Sequence, residues 1–137
     1  MGSVHAEITL NNVTDVGLAL NGIIKEEEIR SVTLKVLVDT GAMTLCINED
    51  LRQKLGLRIL GTRPIRVANG ESVTCQVTEP VEIIWKNRHT ACKPVVIPGV
   101  EFTLLGVIPL EDLDLTVNPV SQELVGIHGD EWLSMAV

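Results

Sequence analysis

"VLVDTGAMTLCI", residues 36–47, is the stretch on which the reading of this chain turns. Branched aliphatics at Val36, Leu37 and Val38 run straight into Asp39. Thr40, Gly41 and Ala42 follow, and the apolar pattern resumes at Leu45, Cys46 and Ile47. Reading backwards, Val32, Leu34, Val36 and Val38 alternate with polar residues, the period-two mark of a β-strand, and Leu37 adds a second apolar face. Asp-Thr-Gly alone describes an ordinary turn, in which the Asp accepts backbone hydrogen bonds and the Gly takes positive φ. The surroundings favour a different reading. Burying an ionised Asp39 in such an apolar environment is costly, and the usual response is a raised pKa or a partner.

Outward from that segment the pattern is mostly β. Val4, Ala6, Ile8 and Leu10 alternate with His5, Glu7 and Thr9 as a half-buried strand. Asn21-Gly22 carries a short-hairpin signal, and the charged run Lys25–Arg30 reads as a solvated turn or edge. The segment 47–57 reads as a short helix capped by Asn48, with Leu51 and Leu55 on one face, Lys54 in the last turn and Gly56 as its left-handed stop. Residues 64–77 read as a hairpin turning at Asn69-Gly70, with Val73, Cys75 and Val77 on one side. Further strands are expected at 81–85, about 90–97 and 100–105. Pro109 with Glu111 and Asp112 opens a second short helix, and a last strand pair spans 115–127, turning at Asn118-Pro119. The expectation is a single domain over residues 1–137: an all-β, closed or nearly closed barrel with one or two short helices.

Composition narrows the function classes. The hydrophobic fraction of 45% contains only 2% aromatics and no tyrosine, so the core must be built from Val, Leu and Ile. A formal charge of −7 argues against nucleic acid, whose phosphates require clustered Lys and Arg. No apolar run reaches bilayer length, and MGSVHAEITL has neither a basic start nor a long apolar stretch. Ala6 also breaks the myristoylation pattern. Cys46, Cys75 and Cys92, an odd number set far apart, fit reduced thiols in a cytoplasmic setting. "HTAC" at 89–92 has one ligand-like spacing but no second pair, so neither a metal nor a cofactor is expected. Cys46 and Cys75 read as core thiols, and Trp85 and Trp132 as packing or interface residues.

Several features, in order, resemble the retropepsin-like aspartic proteases in their bacterial single-domain form. They are the apolar strand into Asp39-Thr40-Gly41-Ala42, the Asn69-Gly70 hairpin where that family places its flap, and "LLG" at 104–106 before a short helix. The tail "LDLTVNPVSQELVG", 113–126, is similar as well. The likeness covers roughly residues 30–125. It implies a homodimeric aspartic endopeptidase, because the chain holds one Asp-Thr-Gly and the reaction uses two carboxylates. Asp39, Thr40 and Gly41 would be the catalytic residues. Ala42, Met43, Val67, Ala68, Asn69, Gly70 and Ile108 would touch a peptide substrate of apolar preference. Thr40 would bond across the dimer, Gly41 would let substrate backbone approach, and the tip at Asn69-Gly70 would close over the peptide. Viral members often carry an acid at the position of Met43 and a base at that of Val107. Both charges are absent here, a paired loss that an apolar contact accommodates. The rival reading is a dimeric β module of the same fold that binds or assembles without catalysis.

Overall fold

The structure, a computed structural model, describes residues 3–67 and 69–129. Strand β1 (His5–Asn12) leads into helix α1 (Val13–Leu20) and a 3-10 turn at Glu26–Glu28, before β2 (Ser31–Val38) returns antiparallel. Then come β3 (Leu45–Ile47), α2 (Glu49–Lys54), β4 (Ile59–Arg66), β5 (Ser72–Thr78), β6 (Val81–Trp85), β7 (Arg88–Cys92), β8 (Val95–Val96) and β9 (Leu104–Leu105). Helix α3 (Val107–Asp112) and a hairpin of β10 (Leu115–Asn118) and β11 (Glu123–Gly126) follow. Nine strands form one sheet in the order β4-β5-β8-β3-β9-β2-β1-β6-β7, and β10 and β11 pair separately.

The β1–β2 register sets the core. Ala6, Ile8 and Leu10 stand opposite Val36, Leu34 and Val32, so the alternation read in both segments points the same way. Their shared face packs with Leu45, Ile47, Leu55, Leu57, Ile83 and Leu105 in one aliphatic cluster. Each fully buried aliphatic side chain contributes about 1.5–3 kcal/mol, and seventeen buried residues share that cluster without a disulfide.

Helix α2 forms as expected. The Asn48 carboxamide oxygen accepts the Leu51 N–H at 2.9 Å, and Gly56 sits at φ +64°. The 64–77 hairpin is present with longer arms, and Cys75 is buried on the side expected of it. The 115–127 pair is present too, with Asn118 accepting the N–H groups of Val120 and Ser121 to hold the turn.

Four expectations are corrected. Asn21-Gly22 makes no hairpin turn. It stops α1, with Gly22 at φ +72° and the Gly22 and Ile23 N–H groups bonded to Ala19 and Leu18 carbonyls. An Asn-Gly pair serves either purpose because both need a left-handed glycine. The ladder among the described residues also ends at β4 and β7, so it is a curled open sheet rather than a closed barrel. Three α-helices are described where one or two were expected. Lastly, the expected strands at 90–97 and 100–105 shrink, because Pro94 and the Pro98-Gly99 turn interrupt the ladder, leaving β7, β8 and the two-residue β9.

Lys25–Glu28 are exposed, as a solvated run should be, but Arg30 folds back. Its guanidinium holds the buried Asp15 carboxylate at 2.8 and 3.0 Å, and its backbone N–H donates to the same group. No helix among the described residues is long and apolar enough to cross a membrane.

Candidate active site

Strand β2 lies between β1 and the parallel β9, and it delivers Asp39 at its end. The Asp39 N–H donates to the Leu105 carbonyl at 3.0 Å, continuing the β2–β9 pairing by one residue. The chain then turns. Ala42 N–H donates to the Asp39 carbonyl at 3.1 Å, and Gly41 N–H donates to Asp39 Oδ1 at 2.9 Å. A side chain accepting from the backbone two residues on is the ordinary turn of the first reading. That turn is present; its location between the central strands is what the tripeptide alone did not reveal.

Two expectations for this turn are corrected. Asp39 is half-buried rather than buried, and Thr40 and Gly41 are exposed. Gly41 does not have positive φ either. Its missing side chain matters for another reason: a Cβ there would stand 3.1 Å from Asp39 Oδ1, crowding the carboxylate it hydrogen-bonds.

The loop is clamped from beneath. Val107 N–H donates to the Ala42 carbonyl at 2.9 Å, and Ile108 N–H to the Met43 carbonyl at 2.8 Å. Gly106 passes under both. A Cβ there would lie 2.5 Å from the Thr44 carbonyl oxygen and 2.6 Å from that of Ala42. Glycine is required by this close approach, not by its φ of −93°. These bonds join Met43 to Ile108, whose side chains stand 66% and 50% exposed, so an apolar pair borders Asp39. Val107, opposite in the clamp, is half-buried.

The flap-like hairpin reaches the same region through its base. Ile65 and Val77 pack with Ala42 and Leu104 around Cys46, Cys75 and Val95. At its far end Val67 N–H bonds the Glu71 carbonyl and Gly70 N–H bonds that of Val67, both at 2.9 Å. Asn69 Oδ1 accepts Glu71 N–H. Val67, Asn69 and Gly70 are therefore exposed tip residues, and Gly70 has φ +87°. Ala68 lies outside the described residues, as does Trp132. Trp85 is half-buried against the main core, with the Lys86 ammonium 4.6 Å from its ring.

Cys46 and Cys92 are poorly suited to act as nucleophiles. Burial pushes the Cys46 thiol up to about 11, with the charges of Asp39, Cys75 and Cys92 adding to the shift. Burial likewise raises Cys92 to about 11 against hydrogen bonds from Thr44 and the Leu45 backbone, so both stay protonated near neutrality. His89 and Cys92 sit three apart on a strand and so point to opposite faces, which undoes the "HTAC" spacing. Among the described residues no three His, Cys, Asp or Glu side chains gather as a metal would need. Two grooves of about 400 and 420 Å³ flank Trp85, and neither is lined by a residue of the Asp39 loop.

The sequence reading missed a second anchor. Arg88, 1% exposed, donates to the carbonyls of Leu113, Asp114 and Gly129 and lies 3.6 Å from the Asp114 carboxylate, which also bonds His128. The anchor ties the segment after α3 to β7. Its only signal was phase: Arg88 shares the inward positions of β7 with Thr90, a place where an unpaired charge would be costly.

Comparison with known proteins follows the same line. A family model described as "gag-polyprotein putative aspartyl protease" matches residues 26–112. No curated protein matches the chain. Among solved structures, the chain is similar to a retropepsin-like aspartic protease from Rickettsia conorii, at 20% identity and TM-score 0.49. That match covers 85% of this chain and 88% of the other. It is also similar to the protease of simian foamy virus (mac), at 18% identity and TM-score 0.46, covering 80% and 92%.

Proposed function

The chain belongs to the gag-polyprotein aspartyl protease family, and on that premise we propose that it is an aspartic endopeptidase assembled as a homodimer around two copies of Asp39. The observation that carries this reading is the position of Asp39. Its carboxylate ends a central strand, half-exposed, on a loop that Gly106, Val107 and Ile108 hold rigidly from below. A rigid, accessible carboxylate is what a symmetric partner needs to meet.

In the dimer the two carboxylates share one proton, because like charges so close resist ionising together. The ionised Asp39 removes a proton from a water held between the pair, and the water oxygen bonds to the peptide carbonyl carbon. The protonated Asp39 gives its proton to the carbonyl oxygen, so the tetrahedral intermediate is neutral. The Asp39 that took the water's proton passes it to the nitrogen while the other Asp39 carboxylate takes a proton from a hydroxyl of the intermediate, so the C–N bond breaks to an acid and an amine and the pair again shares one proton. Thr40 bonds across the two-fold axis to hold the pair. Met43 and Ile108, with Ala42 and the tip residues Val67, Ala68, Asn69 and Gly70, contact the peptide, and the apolar pair favours hydrophobic side chains beside the cut bond. The hairpin tip closes over the substrate and excludes water. No metal or cofactor takes part.

The test is an Asp39→Asn variant assayed on a peptide library at mildly acidic pH, with oligomeric state followed by sedimentation. Loss of all cleavage with an intact dimer is the expected result. A wild-type protein that cleaves nothing and binds no statine-type inhibitor would instead be a binding module, and a strict monomer would overturn the mechanism.

A further inference from the structure

Helix α1 inverts the usual order of a surface helix. Such a helix buries an apolar stripe and shows polar residues to water. Here the one buried residue is Asp15, while none of Val16, Leu18, Ala19, Leu20, Ile23 or Ile24 is buried. Leu20 is 83% exposed and Ile23 68%. Residues 16–24 carry no charge at all.

The helix is held by polar contacts instead. Asn12 caps it at Asp15 N–H and donates its own amide to the Leu55 carbonyl at 2.8 Å. Asp15 is gripped by Arg30, and Thr14 bonds Glu79. These contacts fix the helix without covering its apolar side. A contact of Ile23 with Leu18 is usual beside the glycine stop; it gives no reason for the exposure of Leu20.

We propose that α1 and the turn after it form a docking surface for a segment of another polypeptide that presents aliphatic side chains flanked by lysine or arginine. Charge selects this occupant. The exposed acids Glu26, Glu27 and Glu28 follow the patch after a single exposed lysine, Lys25, which they outnumber, in a chain of net charge −7. That border attracts a basic rim and repels an anionic lipid surface. Position argues against the catalytic partner. Helix α1 begins beside Arg30, at the opposite end of β2 from Asp39, roughly 30 Å along the strand at about 3.3 Å per residue. This surface goes beyond the peptidase reading and does not depend on it.

The test uses the full chain carrying Asp39→Asn, so that no probe is cut, and two fluorescein-labelled amphipathic helical peptides, one of Leu and Lys and one of Leu and Glu. The Leu/Lys peptide is expected to bind, at least tenfold more tightly than Leu/Glu. Binding should weaken at least tenfold with Leu20→Ser plus Ile23→Ser, and should also weaken with Glu26→Gln, Glu27→Gln and Glu28→Gln together. Thermal melts of the variants check folding. Equal binding by the Leu/Glu peptide, or no loss in the Leu20/Ile23 variant, overturns the proposal. So does Leu20-dependent association with vesicles of phosphatidylcholine and phosphatidylserine, or an oligomer that falls apart on the same substitutions.

Discussion

The Ala42 carbonyl oxygen lies 2.6 Å from where a Cβ on Gly106 would stand. Two segments far apart in sequence therefore touch backbone to backbone beneath Asp39. Since the Thr44 carbonyl and N–H crowd the same point, no side chain can be accommodated by a rotamer change. Gly106→Ala must push the 42–44 segment away. It should destabilise the protein by about 1–3 kcal/mol, as overpacking does, and abolish most peptide cleavage. Urea unfolding and a cleavage assay check both; a fully active, fully stable variant would show that the clamp does not set the loop.

Gly41→Ala separates geometry from stability. The new methyl would meet Asp39 Oδ1 at 3.1 Å in an exposed loop, so the carboxylate shifts by tenths of an ångström while the core is untouched. The expected result is a fall in kcat of about tenfold or more, since small misplacements of a reacting group are costly. Stability should stay within about 0.5 kcal/mol, the range for surface sites. Unchanged kcat would mean that the carboxylate position tolerates the crowding.

Acid should weaken the fold at a defined place. Hydrogen bonds from the Arg58 side chain and backbone hold Glu79 at about 2, below its ordinary 4.5, against the opposing effect of burial. Arg30 lowers Asp15 in the same way. A depressed carboxylate stabilises the folded state fully above its unfolded pKa and loses that contribution as pH falls through the folded one. The stability gap between wild type and Glu79→Gln should therefore be widest above pH 4.5 and shrink towards pH 2. Chemical unfolding at several pH values reads it, and a constant gap would contradict the assignment. Mildly acidic cleavage assays lie above this window.

Helix α1 should depend on its polar anchors and not on its apolar face. Arg30→Met leaves the buried Asp15 without its guanidinium, at about 1–3 kcal/mol, whereas Leu20→Ser should change stability by no more than about 0.5 kcal/mol. Denaturant midpoints of the two variants compare them directly. Equal losses would mean that Leu20 is covered in solution.

Arg88→Ala should cost about 3–5 kcal/mol, because it strips hydrogen bonds from three carbonyls and leaves the buried Asp114 carboxylate without that charge. Arg88→Lys should recover little, since one ammonium cannot serve positions that a planar guanidinium spans. Amide exchange should speed up first in residues 113–129. Uniform acceleration across the sheet would instead mark Arg88 as a general core residue.

Much of this molecule was legible along the chain, for local reasons. Alternation at 4–10 and 32–38 aligned the β1–β2 faces, Asn48 and Gly56 bounded α2, and the resemblance carried by Asp39-Thr40-Gly41, the hairpin and "LLG" pointed to the family that the comparison then supplied. These signals are read from neighbours in sequence, where propensity, period and capping operate. What lay beyond them involves contacts between distant residues. Asn21-Gly22 could end a helix or turn a hairpin, and α1 is held by contacts with remote residues: Asn12 to Leu55, Thr14 to Glu79 and Asp15 to Arg30. Gly106 read as part of a motif, but its reason is the backbone of residues 42–44. Arg88 drew no reading from the sequence, because its partners lie in the remote 113–129 segment. Local pattern states which conformations are cheap, while burial and partnership between remote segments decide which of them is kept.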